Sequence, residues 1–246
     1  KERALEREKE GTKEVAQVTL DRPLEIKQPD GSTQALDLGK MRETTTEACR
    51  GLEDKVSVDL VLKRTLQNCF NGMTEKQVDE AALLAVRSLV EQEPAYTWVA
   101  ARVLLRKIYR EVLGKPVTLD GMKQQYAEVF KQSLEFLVEK ERLHPDLLEF
   151  DLERLGQALK PERDLQFQYM GLQILYDRYF IHDEQRRLES PQIFWMRVAM
   201  GLALNEKHRK NDWAIEFYET LSSFRFVSST PTLFNSGTLR PQLSSC

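Results

Sequence analysis

The spacing of apolar residues changes along Lys1–Cys246, and the changes divide the chain. Residues 1–14 are a mixed-charge run, expected as a solvated helix or charged tail. From Val15 to Leu38, Val18, Leu20, Leu24 and Ile26 fall at alternate positions, as in half-buried strands. A turn signal, Gln28-Pro29-Asp30-Gly31-Ser32, then precedes Ala35, Leu36 and Leu38, so a small hairpin or three-strand cap is predicted. Beyond it the period becomes helical. Ser57 is placed to cap a helix bearing Val58, Leu60, Val61, Leu62 and Leu66 that ends near Asn71-Gly72. Thr74, with Gln77 at capping-box spacing, opens a second helix whose inward residues are Val78, Ala82, Leu83, Val86 and Leu89. Pro94 opens a third over Tyr96–Leu113, which stops at Gly114 with Pro116 beyond it. Residues 15–114 therefore read as one β-capped helical domain and 115–117 as a linker.

A second helical set follows over 118–225: Thr118–Leu143, Pro145–Leu159, Leu165–Phe180, Pro191–Leu204 and Asp212–Phe224. Its apolar residues recur at steps of three and four, as in Phe167, Met170, Leu172, Ile174, Leu175 and Tyr179. Residues 226–246 break the pattern: Ser, Thr, Pro and Gly are dense and no period survives. The predicted fold is mainly α, a small β-capped helical domain followed by an all-helical domain and a loop. Loops are where chemistry is usually placed.

Composition narrows the partners. The chain's 246 residues carry a net charge of −3 with both signs interspersed, which speaks against polymeric DNA or RNA. A mononucleotide needs only a few cations and stays open. No apolar run approaches the ~20 residues that span a bilayer. The charged start lacks the apolar core of a signal peptide. Three widely spaced cysteines form no disulfide framework, so a reducing cytoplasm is expected. The chain has no initiating Met and stops on a cysteine inside a motif, so both ends are expected to be cuts.

The richest stretch is the tail. Two prolines and a glycine fix an irregular backbone, and the hydroxyls of Thr230 and Ser245, with exposed backbone amides, suit a phosphorylated small molecule. By composition alone a surface loop is the simpler reading. However, the run Ser-Thr-Pro-Thr-Leu-Phe-Asn-Ser-Gly-Thr (229–238), closing on Gln242-Leu243-Ser244-Ser245-Cys246, closely resembles the large, catalytic subunit of ribonucleotide reductases. The resemblance implies that Thr230 and Ser245 contact the substrate nucleotide. It also implies that Cys246 delivers reducing equivalents to the ribose 2′ position and becomes half of a disulfide. That chemistry is consistent: a thiol must reach the sugar, and a second dithiol must reopen the product disulfide.

Arg163-Asp164 before Phe167-Gln168-Tyr169, then Leu175–Tyr179, Glu189-Ser190-Pro191-Gln192 and Phe217-Tyr218, resemble in order the family's helical domain, as core helices bracing the loop. The first domain resembles the ATP-cone, a regulatory module for ATP or dATP, through its strand, its Asp30-Gly31-Ser32 turn, a helix from near Lys40-Met41 and Tyr96-x-x-x-Ala100-Ala101-Arg102. Its phosphate positions depart from the pattern. Gln28-Pro29 stands where a working cone has Lys-Arg, and Glu75 and Asp79 stand where basic or hydroxyl residues are usual. Each carboxylate beside a triphosphate costs of order ~1 kcal/mol or more in a partly dry site. Lys40 and Arg110 remain as nucleotide-binding cations, and the cone reads as degenerate: dATP is expected to bind weakly and not to inhibit, which calorimetry tests.

Other constellations are weak. Glu141-x-x-His144 has di-iron spacing but lacks the second motif and further carboxylates such a site needs, so no metal ligands are assigned. His182 and His208 stand alone, and Cys49 and Cys69 sit on apolar helical stretches as core residues.

By resemblance, the reaction is reduction of ribonucleoside diphosphates to deoxyribonucleotides, in a homodimer fed by thioredoxin or glutaredoxin. The chain itself holds no cofactor; a metal-containing small subunit supplies the radical, as in class I. The cobalamin-dependent class shares much of the tail motif and is the alternative, as is a non-catalytic nucleotide-binding regulatory or scaffold fragment. The resemblance places the start of a ten-stranded α/β barrel at about Cys246. The thiyl cysteine and its Asn and Glu neighbours are not in this chain, so alone it is expected to be inactive. The stop at Cys246 is open to three readings: an expression boundary, a split gene or an intein junction.

Overall fold

The computed structural model of the protein describes residues 24–28, 30–183 and 186–245. The charged run 1–14, Val18, Leu20, Pro29 and Cys246 lie outside them. The protein is mainly helical with a small sheet at the front, as the spacing predicts. It divides into two compact units between Leu104 and Leu105, within a single helix.

In the first unit, β1 (Glu25–Lys27) pairs antiparallel with β2 (Thr33–Ala35). The turn between them is held by Asp30, whose Oδ1 accepts from Ser32 N at 2.9 Å and Ser32 Oγ at 2.6 Å. Asp37 caps α1 (Leu38–Cys49), and Ser57 caps α2 (Val58–Gln67), as its position predicts. The helix ends at Gln67, earlier than the apolar pattern suggests, because the chain must turn to form β3 (Met73–Thr74). That strand pairs parallel with β1, Ile26 opposite Met73, and completes a sheet of order β2-β1-β3. Two residues carry no period, so the third strand was invisible to pattern reading.

Thr74 then opens α3 (Glu75–Leu89) with the expected capping box: Thr74 Oγ1 accepts from Gln77 N at 3.3 Å and Gln77 Oε1 accepts from Thr74 N at 2.8 Å. Met73, Val78 and Ala81 form a small core with Ile26, Leu36, Met41 and Cys69 packed on it. The next helix, α4 (Tyr96–Leu113), has its predicted bounds. Arg102 on α4 donates to Ala48 O at 2.9 Å and Arg50 O at 2.7 Å, tying off the carbonyl end of α1.

The second unit begins within α4. Residues 115–117 lie in the short connection to α5 (Leu119–Glu139), which Thr118 caps. Two predicted long helices are broken. Pro145–Leu159 is a 3-10 turn, Pro145–Glu149, then extended Phe150 and α6 (Leu152–Ala158). Asp151 causes the restart, its Oδ1 accepting from Arg154 N at 3.0 Å in place of a continuing helical bond. Leu165–Phe180 is likewise divided into a 3-10 turn over Pro161–Gln166, α7 (Tyr169–Ile174) and a widened π turn over Leu175–Tyr179. A hairpin of β4 (His182–Asp183) and β5 (Arg186–Arg187) follows.

Then come α8 (Pro191–Ala203), α9 (Lys210–Ser222) and, within the stretch expected to be loop, the short α10 (Thr230–Asn235). Every residue of α8 from Pro191 to Met200 is buried, the mark of a central helix. It packs on α9 and touches α10. No helix among the described residues is long and apolar enough to cross a membrane.

Candidate functional site

The tail is irregular in sequence but firmly seated. Pro231 stands in the first turn of α10, where a missing N–H costs nothing. Two side chains fold the following segment back: Asn235 Nδ2 donates to Gln242 O at 2.8 Å, and Thr232 Oγ1 donates to Leu243 O at 3.2 Å. Ser236 is fully buried and donates its hydroxyl to Val198 O on α8 at 2.7 Å. His144 N donates to Gly237 O at 2.9 Å, and Leu143 bridges Thr238.

The seating depends on a close approach of backbones. Gly237 has φ +80°, a conformation that disfavours side chains. Opposite it, a Cβ on Gly201 would overlap Gly237 N and Ser236 Oγ and lie 2.6 Å from Ser236 C. Only glycine at 201 lets α8 and the tail meet this closely.

Beneath the tail lies a charged pair that pattern reading did not assign. Arg197 on α8 and Glu189 just before it are both 0% exposed. Arg197 Nε donates to Glu189 Oε1 at 2.7 Å and Nη2 to Oε2 at 3.1 Å, a bidentate pair. The guanidinium then reaches the tail: Nη1 donates to Leu233 O at 3.2 Å and Ser236 O at 2.8 Å, the carbonyls at the end of α10. A cation there satisfies acceptors the helix leaves open and complements its dipole. Glu189 Oε2 also accepts from Ile181 N at 2.8 Å. One ion pair thus joins α8, the segment leading into the β4–β5 hairpin and the tail. Its sequence signal was a lone arginine in the otherwise apolar run Ile193–Ala203.

A second buried polar group braces the same helix. Asp164, turned inward by its 3-10 turn, accepts from Tyr109 OH, from Tyr126 OH at 2.8 Å and from Gln192 Nε2 at 2.7 Å. Gln192 Oε1 in turn accepts from Tyr218 OH at 2.6 Å, and Lys160 N donates to that same hydroxyl at 2.8 Å. Burial pushes the Asp164 carboxyl up to about 6 against the pull of its three donors. The Arg163-Asp164 and Glu189–Gln192 motifs are thus core braces.

The predicted ligand residues are placed as follows. Thr230 is the first residue of α10, exposed, with its Oγ1 3.3 Å from Tyr179 OH. Ser245 is exposed on the segment folded back by Asn235 and Thr232. Cys246 lies outside the described residues. Lys40 belongs to the first unit and Arg110 to the second, so the two are not gathered in one unit. Lys40 Nζ is paired with Glu75 Oε1 at 3.3 Å, one of the carboxylates expected to oppose a triphosphate. Burial raises the Cys49 thiol to about 11 and also raises Cys69, which disfavours the thiolate at both. Among the described residues, no group of three or more His, Cys, Asp or Glu could hold a metal ion. His144 does not act with Glu141: its Nδ1 accepts from Asp146 N at 3.3 Å and caps the 3-10 turn.

Residues 165–241 match the family model of the ribonucleotide reductase all-alpha domain. The ribonucleoside-diphosphate reductase subunit alpha of Chlamydia muridarum is 43% identical over 235 residues, 94% of this chain and 22% of that protein. Its counterpart in Helicobacter pylori (strain ATCC 700392 / 26695) is 36% identical over 219 residues, 88% of this chain and 26% of that protein. The ribonucleoside-diphosphate reductase large subunit of Danio rerio is 29% identical over 221 residues, 88% of this chain and 27% of that protein. The chain spans 22–27% of the length of these curated relatives.

Proposed function

Because the chain belongs to the ribonucleotide reductase family, as an N-terminal region of the large (alpha) subunit, we propose that it serves reduction of ribonucleoside diphosphates to deoxyribonucleoside diphosphates. Its contribution is the loop 226–246. The observation that carries this reading is the seating of that loop: a buried ion pair, a glycine contact and two side-chain tethers hold an exposed Thr230 and Ser245 on a rigid core. Binding groups on a loop need such support if their geometry is to be reproducible.

In the proposed reaction, Thr230 and Ser245 hold the substrate, and Cys246 acts with a second thiol of the complete protein. The 2′ C–O bond breaks, a C–H bond forms, the oxygen leaves as water, and the two thiols become a disulfide. Thioredoxin or glutaredoxin then reopens it. The radical that starts the reaction comes from a metal-containing small subunit, the large subunit acts as a homodimer, and the compartment is the cytoplasm. ATP and dATP are the effectors to test at the front unit.

The test is CDP reduction by the complete large subunit with its small subunit. Cys246→Ser is expected to abolish multiple turnover. Thr230→Ala is expected to raise KM about 10-fold or more, the loss of one or two hydrogen bonds to a charged group. Full turnover by the Cys246→Ser enzyme would refute the role of that thiol.

A further inference from the structure

We propose that the open cleft beside α10 is a nucleotide site in its own right, with the phosphates on Arg142 and Arg178 and the ring system against Tyr179 and Phe234. The cleft has a volume of ≈ 410 Å³ and draws its walls from the turn after α5, the π turn, the start of the hairpin and the tail. That size suits a mononucleotide.

Its charge is unusual for this chain. Arg178 is exposed and makes no ion pair or hydrogen bond with the other described residues. The nearby Asp177 carboxylate instead accepts from Gln173 Nε2 at 2.7 Å. Arg142 meets Asp183 only at 3.7 Å, beyond hydrogen-bond length, with 51% of the arginine side chain exposed. His182 also lines the cleft. In a protein of net charge −3, two weakly engaged guanidiniums and an imidazole line one opening, and among the described residues the lining includes no carboxylate. Guanidinium forks suit phosphate oxygens.

Two aromatic rings also line the cleft. Tyr179 and Phe234 lie 4.7 Å apart at 34°, and Phe234 is 38% exposed. A partly exposed ring pair beside weakly engaged guanidiniums offers stacking to a base and charge to its phosphates, whereas inorganic phosphate would use only the second. Thr238, also in the lining, is already satisfied: its Oγ1 donates to Asn235 O at 2.8 Å. The cleft adjoins the proposed substrate contact, since Tyr179 OH lies 3.3 Å from Thr230 Oγ1; Thr230→Ala, which removes that contact and leaves both arginines, tells the two sites apart.

The experiment is calorimetric titration of this chain with ADP and, separately, with inorganic pyrophosphate. ADP is expected to bind, with Arg178→Ala and Arg142→Ala each weakening it about 10-fold, one lost charge-assisted contact apiece. Tyr179→Ala is expected to weaken ADP and leave pyrophosphate unchanged, and Phe234→Leu repeats the test with less disturbance of the π turn. Lys123→Ala, on α5 away from the cleft lining, is expected to leave binding unchanged. No heat with ADP up to about 1 mM would overturn the proposal. Unaltered binding in Arg178→Ala and Arg142→Ala, or loss in Lys123→Ala alone, would do so equally. Equal affinity for pyrophosphate and ADP would overturn the nucleotide assignment.

Discussion

At the front cap, Lys40 and Glu75 meet at 3.3 Å with 56% and 45% of their side chains exposed; at the tail, Arg197 and Glu189 meet at 2.7 Å with neither exposed. Both pairs stand beside a proposed ligand group, yet they act differently. The front pair is screened by water, contributes about 0–1 kcal/mol, and leaves Lys40 free to rearrange. The buried pair is committed. Its energetic value over an apolar replacement is small, but each partner has become indispensable to the other. Burial therefore turns an ion pair from a surface ornament into a positional constraint, and it is the tail that carries the constraint.

The largest expected effect follows from leaving one buried charge alone. Arg197→Met keeps most of the volume but strands Glu189 and the carbonyls of Leu233 and Ser236, and should cost ~3–5 kcal/mol. Urea unfolding followed by fluorescence of Trp195 and Trp213 reads this loss, and adding Glu189→Gln should recover part of it. A charge-independent break of the same seat is Gly201→Ala. Its Cβ overlaps Gly237 and Ser236, so a loss of about 1–3 kcal/mol and faster proteolysis at 226–245 are expected.

Asp164 sharpens the comparison through pH. Its folded pKa, about 6, lies above the ordinary 3.8, so the folded state keeps the proton over that interval. Its contribution is fully present below pH ~4 and is lost as pH rises through about 6, on the order of 1 kcal/mol per pH unit. Asp164→Asn should flatten that slope in thermal unfolding; an unchanged slope would show that another group causes it. Smallest of all, Lys40→Ala should change stability by no more than about 0.5 kcal/mol in the same urea assay.

How much of this was legible depends on the range of the interaction. Ser57 and Thr74 cap the helices that follow them, as their positions predict, because a cap acts within three residues; Thr118, expected as the first residue of its helix, is the cap instead. The bounds Tyr96–Leu113 follow equally from Pro94 and Gly114. The breaks at Phe150 and Phe167-Gln168 were not readable, since both stretches keep a helical apolar period while their buried rings settle in extended backbone. In the site, the tail motif marked Thr230 and Ser245. Nothing local marked Gly201 as the contact for Gly237, or Arg197 as the partner of carbonyls 36 and 39 residues away.

The sequence by itself determined a mainly helical chain, its capped helices, the strand cap at the front and an irregular tail dense in Ser, Thr, Pro and Gly. Each of these depends on neighbours within a few residues, or on a motif whose residue types suffice. Tertiary structure alone decided the third strand, the two broken helices and the buried charges that seat the tail. The physical reason is that a charge is admitted to the interior only when its partner arrives there too, and that partner is chosen by packing across the fold.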